Sequence, residues 1–501
     1  MSLQQQIAIN AHYTRSINLE RDSTSMEVLK AYVPTSRAIR TLGRVADTLH
    51  DGVAPRAWTL VGPYGSGKSS FSLFASELLS YEFGDMQATA MQKLRSVDEA
   101  LAGRIDKGLG DSQGFLRVLV TGSPAPMSRA LLAAIHERAD ELFSTRRGRK
   151  PAVLEDMAKL LGTGEILVAD FINCVRQLQS ALTKASYSGI VIVIDELGKF
   201  LEYEARHYGA NDIFLLQALA EHACAGRDCN LLLFVTLHQS FEQYARGLGE
   251  HLRAEWAKVH GRFEEIPFLE SQEQVLRVVA SAITHDFSKA EQKSIAASAQ
   301  SAATALADAG ALPSGLGAKE AVSLFASCYP LSPLAALVLP LLCQKVAQNE
   351  RTLFSYLGSH AEHGLQDVVS RFESEKDWVQ LHHVFDYFVA NQAASFGDQG
   401  LHRRWAEVAT ALDRVGDIPD ATLELLKAIG LLNIVGARDG LKASENILEL
   451  AASEPKALRR AISTLKKKSV VTYRKFGGEY RVWQGSDFDL EEAFVEAKEQ
   501  L

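Results

Sequence analysis

The chain has 501 residues and a formal net charge of -8, which is too long for one ordinary core and predicts two to four domains. That charge balance excludes a whole-surface attraction to nucleic acid or acidic membranes and leaves only a local basic patch for such a role. The five cysteines, Cys174, Cys224, Cys229, Cys328 and Cys343, are an odd and sparse set that suits a reducing compartment without disulfides.

The opening MSLQQQIAINAHYTRSINLERD has no apolar core of the kind a secretory signal needs, so a cytoplasmic protein is expected. Residues 1–54 read as an N-terminal arm and helix. From Ala57 to Leu269 five apolar runs alternate with longer amphipathic stretches, the pattern of parallel strands joined by helical crossovers. The expected strands are 57–62, 115–122, 189–195, 230–237 and 263–269, with helices over Ser69–Leu79, Ser128–Phe143 and Asp212–Cys224. Residues 80–114 resist assignment and read as an insertion.

Directly after the first strand comes Gly62-Pro63-Tyr64-Gly65-Ser66-Gly67-Lys68-Ser69, then Ser70 and an apolar helix. Glycines at 62, 65 and 67 let backbone N–H groups approach a phosphate closely, and the following helix points its positive end at the anion. Lys68 is placed to neutralise the β- and γ-phosphates of ATP, and Ser69 to offer a hydroxyl to Mg²⁺. The third strand, Val191-Ile-Val-Ile-Asp195-Glu196, ends in two acids and resembles a Walker B motif. Asp195 would then hold Mg²⁺ through water and Glu196 would polarise the attacking water, which makes an ATPase the expectation. The bland alternative is a helix cap.

The fourth strand ends in Thr236-Leu-His238-Gln239. Thr236 or His238 would sense the γ-phosphate if that strand lies between the first and third; otherwise they are satisfied loop residues. Before the fifth strand, in KVHGRFEEIPF, Arg262 is the candidate arginine finger reaching a neighbouring subunit of a homo-oligomer, with Arg253 as fallback; the alternative is a surface arginine paired with Glu264 or Glu265. His222, Cys224 and Cys229 invite a zinc reading, but no second ligand pair follows at a usable spacing. Arg146, Arg147, Arg149 and Lys150 form a basic run that either contacts phosphate or is a solvated loop.

After Glu270 strand-like runs vanish for about 150 residues, and alanine, leucine and glutamine at helical spacing predict a helical region over 271–416. GALPSGLGAK and GDQG read as loops within it. Its most apolar helix, Leu331–Cys343, contains Pro333 and Pro340 and is too short to cross a bilayer, so no membrane association is expected. From 417 to 501, helices lead to a β-hairpin around Gly477-Gly478, which suggests a winged helix. A helix over Glu454–Lys468 carries Lys456, Arg459, Arg460, Lys466 and Lys467, and the hairpin adds Arg474 and Lys475. Few acids interrupt these cations, as in a nucleic-acid footprint, although winged helices also bind protein.

With both phosphate motifs present, the five-strand series resembles the AAA+ division of P-loop ATPases, and GRFEEIPF resembles the arginine-bearing motif of origin-recognition initiators. The resemblance implies a helical lid after the sheet and a winged helix after the lid. IDELGKFLEY, YPLSPLAALVLP, QNERTLFSYL and RVWQGSDFDL are similar to ATPases of prokaryotic phage-defence loci, including those of BREX type. By that resemblance Arg351 would be the lid arginine reaching back to the nucleotide, although no glycine-x-x-arginine motif precedes it. The expected fold is thus an α/β parallel five-stranded P-loop sheet, a helical lid region and a winged-helix domain. The expected function is an ATP-driven switch on duplex DNA, with an ATP-controlled hub recruiting an effector protein, such as a nuclease or methyltransferase, as the alternative. A metabolite kinase is disfavoured, since nothing in 271–501 resembles a small acceptor site.

Overall fold

The computed structural model describes residues 3–10, 17–50, 55–81, 84–146, 149–206, 212–225, 230–244, 258–346, 353–390, 399–436 and 440–483. The chain divides into two compact units, one formed by Ser16–Glu270 and the other by Met1–Arg15 with Ser271–Leu501. In chain order the strands are β1 (Ile7–Ile9), β2 (Ala57–Val61), β3 (Phe115–Thr121), β4 (Gly189–Asp195), β5 (Asn230–Leu237), β6 (Glu264–Pro267), β7 (Ile283–His285), β8 (Val471–Arg474) and β9 (Glu479–Val482).

Ser16–Glu270 is built on a five-stranded parallel sheet of order β3-β4-β5-β2-β6. Because side chains alternate along a strand, each strand feeds two cores. Val118, Val120, Ile190, Ile192, Ile194, Leu233 and Val235 enter one, with the helices Met127–Ser144, Val168–Lys184 and Asp212–Ala225. Trp58, Leu60, Val191, Val193, Leu232 and Phe234 enter the other, with Ser36–His50 and Lys68–Leu79. Complete burial of such a side chain contributes roughly 1.5–3 kcal/mol, so a strand with both faces covered reads as an uninterrupted apolar run. The order places β5 between β2 and β4, the position required for Thr236 and His238 to lie between the two phosphate motifs. Residues 80–114 are not shapeless: helices Asp85–Val97 and Glu99–Leu109 meet at Asp98, which ends the first and caps the second by accepting from Leu101 N at 2.9 Å.

The helix after the glycine loop is anchored by an ion pair. Glu77 from that helix meets Arg117 from β3, and both are nearly inaccessible, at 2% and 3%. Arg117 also donates to Ser23 O at 3.4 Å, but loss of either partner would leave the other charge buried without its counter-ion.

In the other unit, helices Gln272–Ala282, Lys289–Asp308, Ala318–Ser327, Pro333–Val346, Leu381–Ala390, Gln399–Val415 and Asp420–Val435 surround one apolar core. The expectation of no strand over this stretch is corrected by β7, which pairs antiparallel with β1 through Ile7–His285, Ala8–Thr284 and Ile9–Ile283. The GALPSGLGAK segment does fall between two helices, whereas Gly397 and Asp398 of GDQG lie outside the described residues and its Gln399 and Gly400 open the helix Gln399–Val415. The C-terminal segment places Glu445–Ala451, Leu458–Lys467 and the β8–β9 hairpin against Asp420–Val435. Buried Asn433 fastens the hairpin there: its Nδ2 donates to Tyr480 O at 3.0 Å and its Oδ1 accepts from Val482 N at 2.8 Å. The basic helix begins at Leu458 rather than Glu454, because Pro455–Ala457 forms a separate 3₁₀ turn. Among the described residues no helix is long and apolar enough to cross a membrane.

Replacing Glu77 with Ala should strand the Arg117 guanidinium and cost about 3–5 kcal/mol, read as a fall in the urea midpoint of the tertiary fluorescence transition. The double variant Glu77→Leu/Arg117→Met should recover most of that loss.

Candidate functional site

The glycine loop connects β2 to the helix Lys68–Leu79, and its backbone departs from ordinary geometry where the sequence supplies glycine. Gly65 and Gly67 have φ of 73° and 85°, which side-chain-bearing residues rarely adopt. A Cβ on Gly62 would lie 2.5 Å from the carbonyl oxygen of Phe268, just past β6, so the chain there leaves no room for a side chain at the loop's start. Lys68 is 8% exposed and folds into its own loop: Nζ donates to Gly62 O at 2.6 Å, Pro63 O at 2.9 Å and Ser66 Oγ at 3.4 Å. Burial lowers its pKa to about 8, against the opposing pull of Asp195 and Glu196.

At the end of β4, Asp195 is 3% exposed and its Oδ1 accepts from Thr236 Oγ1 of β5. The same hydroxyl accepts from Glu196 N at 3.0 Å. Burial raises the Asp195 pKa, while hydrogen bonds from Thr236 and Ser69 oppose that rise. Ser69 and Asp195 therefore meet, as the sequence reading requires of a shared metal site. Glu196 stands in the left-handed region at φ 51° and forms an ion pair with Lys199. Gly122, just past β3, makes this turn possible: its N–H donates to Asp195 O at 2.8 Å, and a Cβ there would meet Glu196 O at 2.1 Å.

His238 does not stand alone. Its ring stacks on Tyr64 with centroids 4.9 Å apart, and its Nδ1 lies 2.7 Å from the Tyr244 hydroxyl. Burial, then the Lys68 charge, lowers its pKa and favours the neutral ring. Tyr244 in turn fits only because residue 198 is glycine, where a Cβ would be 2.3 Å from its hydroxyl. Gly122, Gly198, Lys199 and Tyr244 were not singled out by sequence reasoning, since only close approach in three dimensions identifies them. Thr121, opposite Asp195 in the β3–β4 register, keeps a buried Oγ1 without a partner.

The residues fit a magnesium nucleotide. A buried lysine amid backbone oxygens, at the N-terminus of a helix, accepts an anion, and a hydroxyl with a carboxylate is a hard oxygen set suited to Mg²⁺. An anion at Lys68 and a cation at Asp195 would relieve both pKa shifts.

Other sequence candidates fall elsewhere. Arg262 is exposed and pairs through Nε with Glu221 at 2.9 Å, instead of the neighbouring acids; Glu264 engages Arg44 and Trp58, and Glu265 engages His260. Arg253, Arg351 and Cys229 lie outside the described residues. His222 Nε2 is 2.6 Å from Gln179 Oε1, and among the described residues no cluster of His, Cys, Asp or Glu suits a metal. Cys174, Cys328 and Cys343 are buried free thiols, and Cys224 is exposed. In the basic run, Arg146 is committed to the fold, bonding Ala185 O and Gln113 Oε1 and lying 4.9 Å over the Tyr187 ring, while Lys150 pairs with Asp140.

In the other unit, Lys456, Arg459, Arg460, Lys466, Lys467, Arg474 and Lys475 are all exposed. The helix buries Leu458, Ala461, Ile462 and Leu465 on its opposite face. Arg459, Ser463, Lys466 and Lys467 line a groove of about 490 Å³ with Glu445 and Tyr480, whose hydroxyl donates to Glu445 Oε1 at 3.0 Å. Lys468 instead serves the fold, donating to Val415 O at 2.6 Å.

No family model matches the chain, and no curated protein matches it. Among solved structures it is similar to the ORC2 protein of Aeropyrum pernix in its ADPNP–ADP complexes, at 12% identity over 95% of this chain and 98% of that one, with a TM-score of 0.35. The ADP form of that protein gives 12% identity over 95% and 97% of the two chains, with a TM-score of 0.34.

Thr236→Val should leave Asp195 Oδ1 and Glu196 N without their shared hydroxyl and cost roughly 1–3 kcal/mol. Denaturant titration should show this loss, and Thr236→Ser should show little of it.

Proposed function

We propose that this chain is an ATP-hydrolysing switch of AAA+ type that works in the cytoplasm on duplex DNA, in a phage-defence setting. One observation carries the enzymatic part: a single hydroxyl, that of Thr236, joins Asp195 and the backbone of Glu196, while Ser69 from the glycine loop reaches the same carboxylate. In this reading the loop from Gly62 to Ser70 wraps the phosphates, and Lys68 neutralises the β- and γ-oxygens. Ser69 and Asp195 hold Mg²⁺. Glu196 takes a proton from water as its oxygen bonds to the γ-phosphorus; the bond to the bridging oxygen breaks, leaving ADP and phosphate. Thr236 and His238, at the end of the intervening strand, report the γ-phosphate.

Arg262 acts from a neighbouring copy in a homo-oligomer, exchanging Glu221 for phosphoryl charge. Residues 55–270 form the ATPase domain and 271–416 the lid and connecting region, with Arg351 as the lid's arginine. Residues 417–501 form a winged helix, and 1–54 an N-terminal arm and helix. Support for DNA as its partner comes from the exposed cations Lys456, Arg459, Arg460, Lys466, Lys467, Arg474 and Lys475 on one small segment of an acidic protein.

Glu196→Gln should retain ATP while losing turnover by about two orders of magnitude, whereas Lys68→Ala should lose ATP. Light scattering of wild type and Glu196→Gln with ATP, with and without duplex DNA, should show a nucleotide-dependent gain in mass; no change in any condition would sink the switch.

Lys68 also sets a pH dependence. Its ligand-free pKa of about 8 lies below the ordinary 10.5, and bound phosphate would raise it, so ATP binding takes up a proton once pH passes about 8. Affinity should be level near pH 7 and fall towards tenfold per unit above pH 8. Nucleotide titrations from pH 7 to 9.5 at constant ionic strength would check this; an unchanged affinity would refute it.

A further inference from the structure

Phe476 sits at the turn of the β8–β9 hairpin and, among the described residues, is the most exposed large apolar side chain, at 107% relative exposure. Single exposed hydrophobics are ordinary on protein surfaces, but the setting of this one is specific. The turn beneath it is fixed: Gly478 N donates to Arg474 O at 2.8 Å, Gly478 adopts φ 62°, and Lys442 Nζ donates to Gly477 O at 2.9 Å. Behind the turn, Asn433 ties β9 to the helix Asp420–Val435. The ring is thus carried on a braced arm. Arg474 and Lys475, immediately before it, are exposed and have no ion pair among the described residues.

The charge around the ring selects its partner. Between Glu454 and Trp483 the chain carries nine lysines and arginines against two acids, and the groove beside Arg459, Lys466 and Lys467 belongs to the same segment. An apolar peptide would satisfy the ring but not the cations. A stacked base step flanked by phosphates satisfies both.

We propose that Phe476 is a wedge that enters a base step of duplex DNA from the minor groove while Arg474 and Lys475 hold the adjacent phosphates. This deepens the DNA reading above and rests on it. Opening a step costs unstacking energy, which the ring offsets by stacking on the exposed base. The braced turn limits the ordering cost, and the cations draw the phosphates towards the tip.

The test uses the full chain and duplexes carrying 2-aminopurine at successive steps, titrated at several salt concentrations. Wild type should raise 2-aminopurine fluorescence at one step. Phe476→Ala should abolish that rise and weaken binding by roughly tenfold with the same slope of log affinity against log salt, because no charge is removed. Lys475→Ala should reduce the slope by about one and keep the rise. Phe476→Trp should preserve both affinity and rise. Salt-dependent binding that is equally tight in Phe476→Ala, with the fluorescence unchanged, would overturn the wedge alone. Binding indifferent to Lys456→Ala/Arg459→Ala/Arg460→Ala, or no salt-dependent binding by wild type, would remove the DNA reading beneath it, as would retention on an acidic peptide instead.

Discussion

The hydroxyl of Thr236 is the point where two strands with different tasks are held in common register. It donates to the Asp195 carboxylate and accepts from the Glu196 amide, so the two acids at the end of β4 cannot shift independently of β5. The parallel pairing of β5 with both β2 and β4 makes this bond possible, and burial of both sheet faces makes that pairing the favourable one. Displacing β5 would lose the alignment of the glycine loop with the acids, whatever happened to either motif alone.

Around this bond, small residues are placed by the space they leave. Gly122 lies against the backbone of Glu196, and Gly198 lies under the Tyr244 hydroxyl. Glu196 pays a local cost for its left-handed backbone. Tyr64, His238 and Tyr244 form a contiguous set from the glycine loop to the helix that begins after Glu196. A change at any of these would be felt at the carboxylates through packing rather than charge.

How much of this the sequence disclosed depends on how local each signal is. Five apolar runs and two motifs gave the sheet and the meeting of Lys68, Ser69 and Asp195, because strand burial and phosphate chemistry both leave residue-type patterns. β7 was invisible: three residues pair with three others more than 270 positions earlier, and neither run has a period to detect. The helices Asp85–Val97 and Glu99–Leu109 bury Ala90, Met91, Leu94, Leu101 and Ile105, but their join at Asp98 blurs the periodicity. Glu221 as the partner of Arg262 lies 41 residues away, beyond any local pairing rule.

The pairing of β1 with β7 has a consequence for the chain as a whole. Ile7 and Leu3 belong to the core of the helical unit, whereas Leu19 and Val28 belong to the sheet unit, so the polypeptide starts in one body, builds the other, and returns. The sheet unit is in effect a guest inserted into its host. Leu3 and Ile7 complete a core whose other members all come after Ser271, so a change at either would register in the body that carries the basic hairpin, not in the one that follows them in sequence.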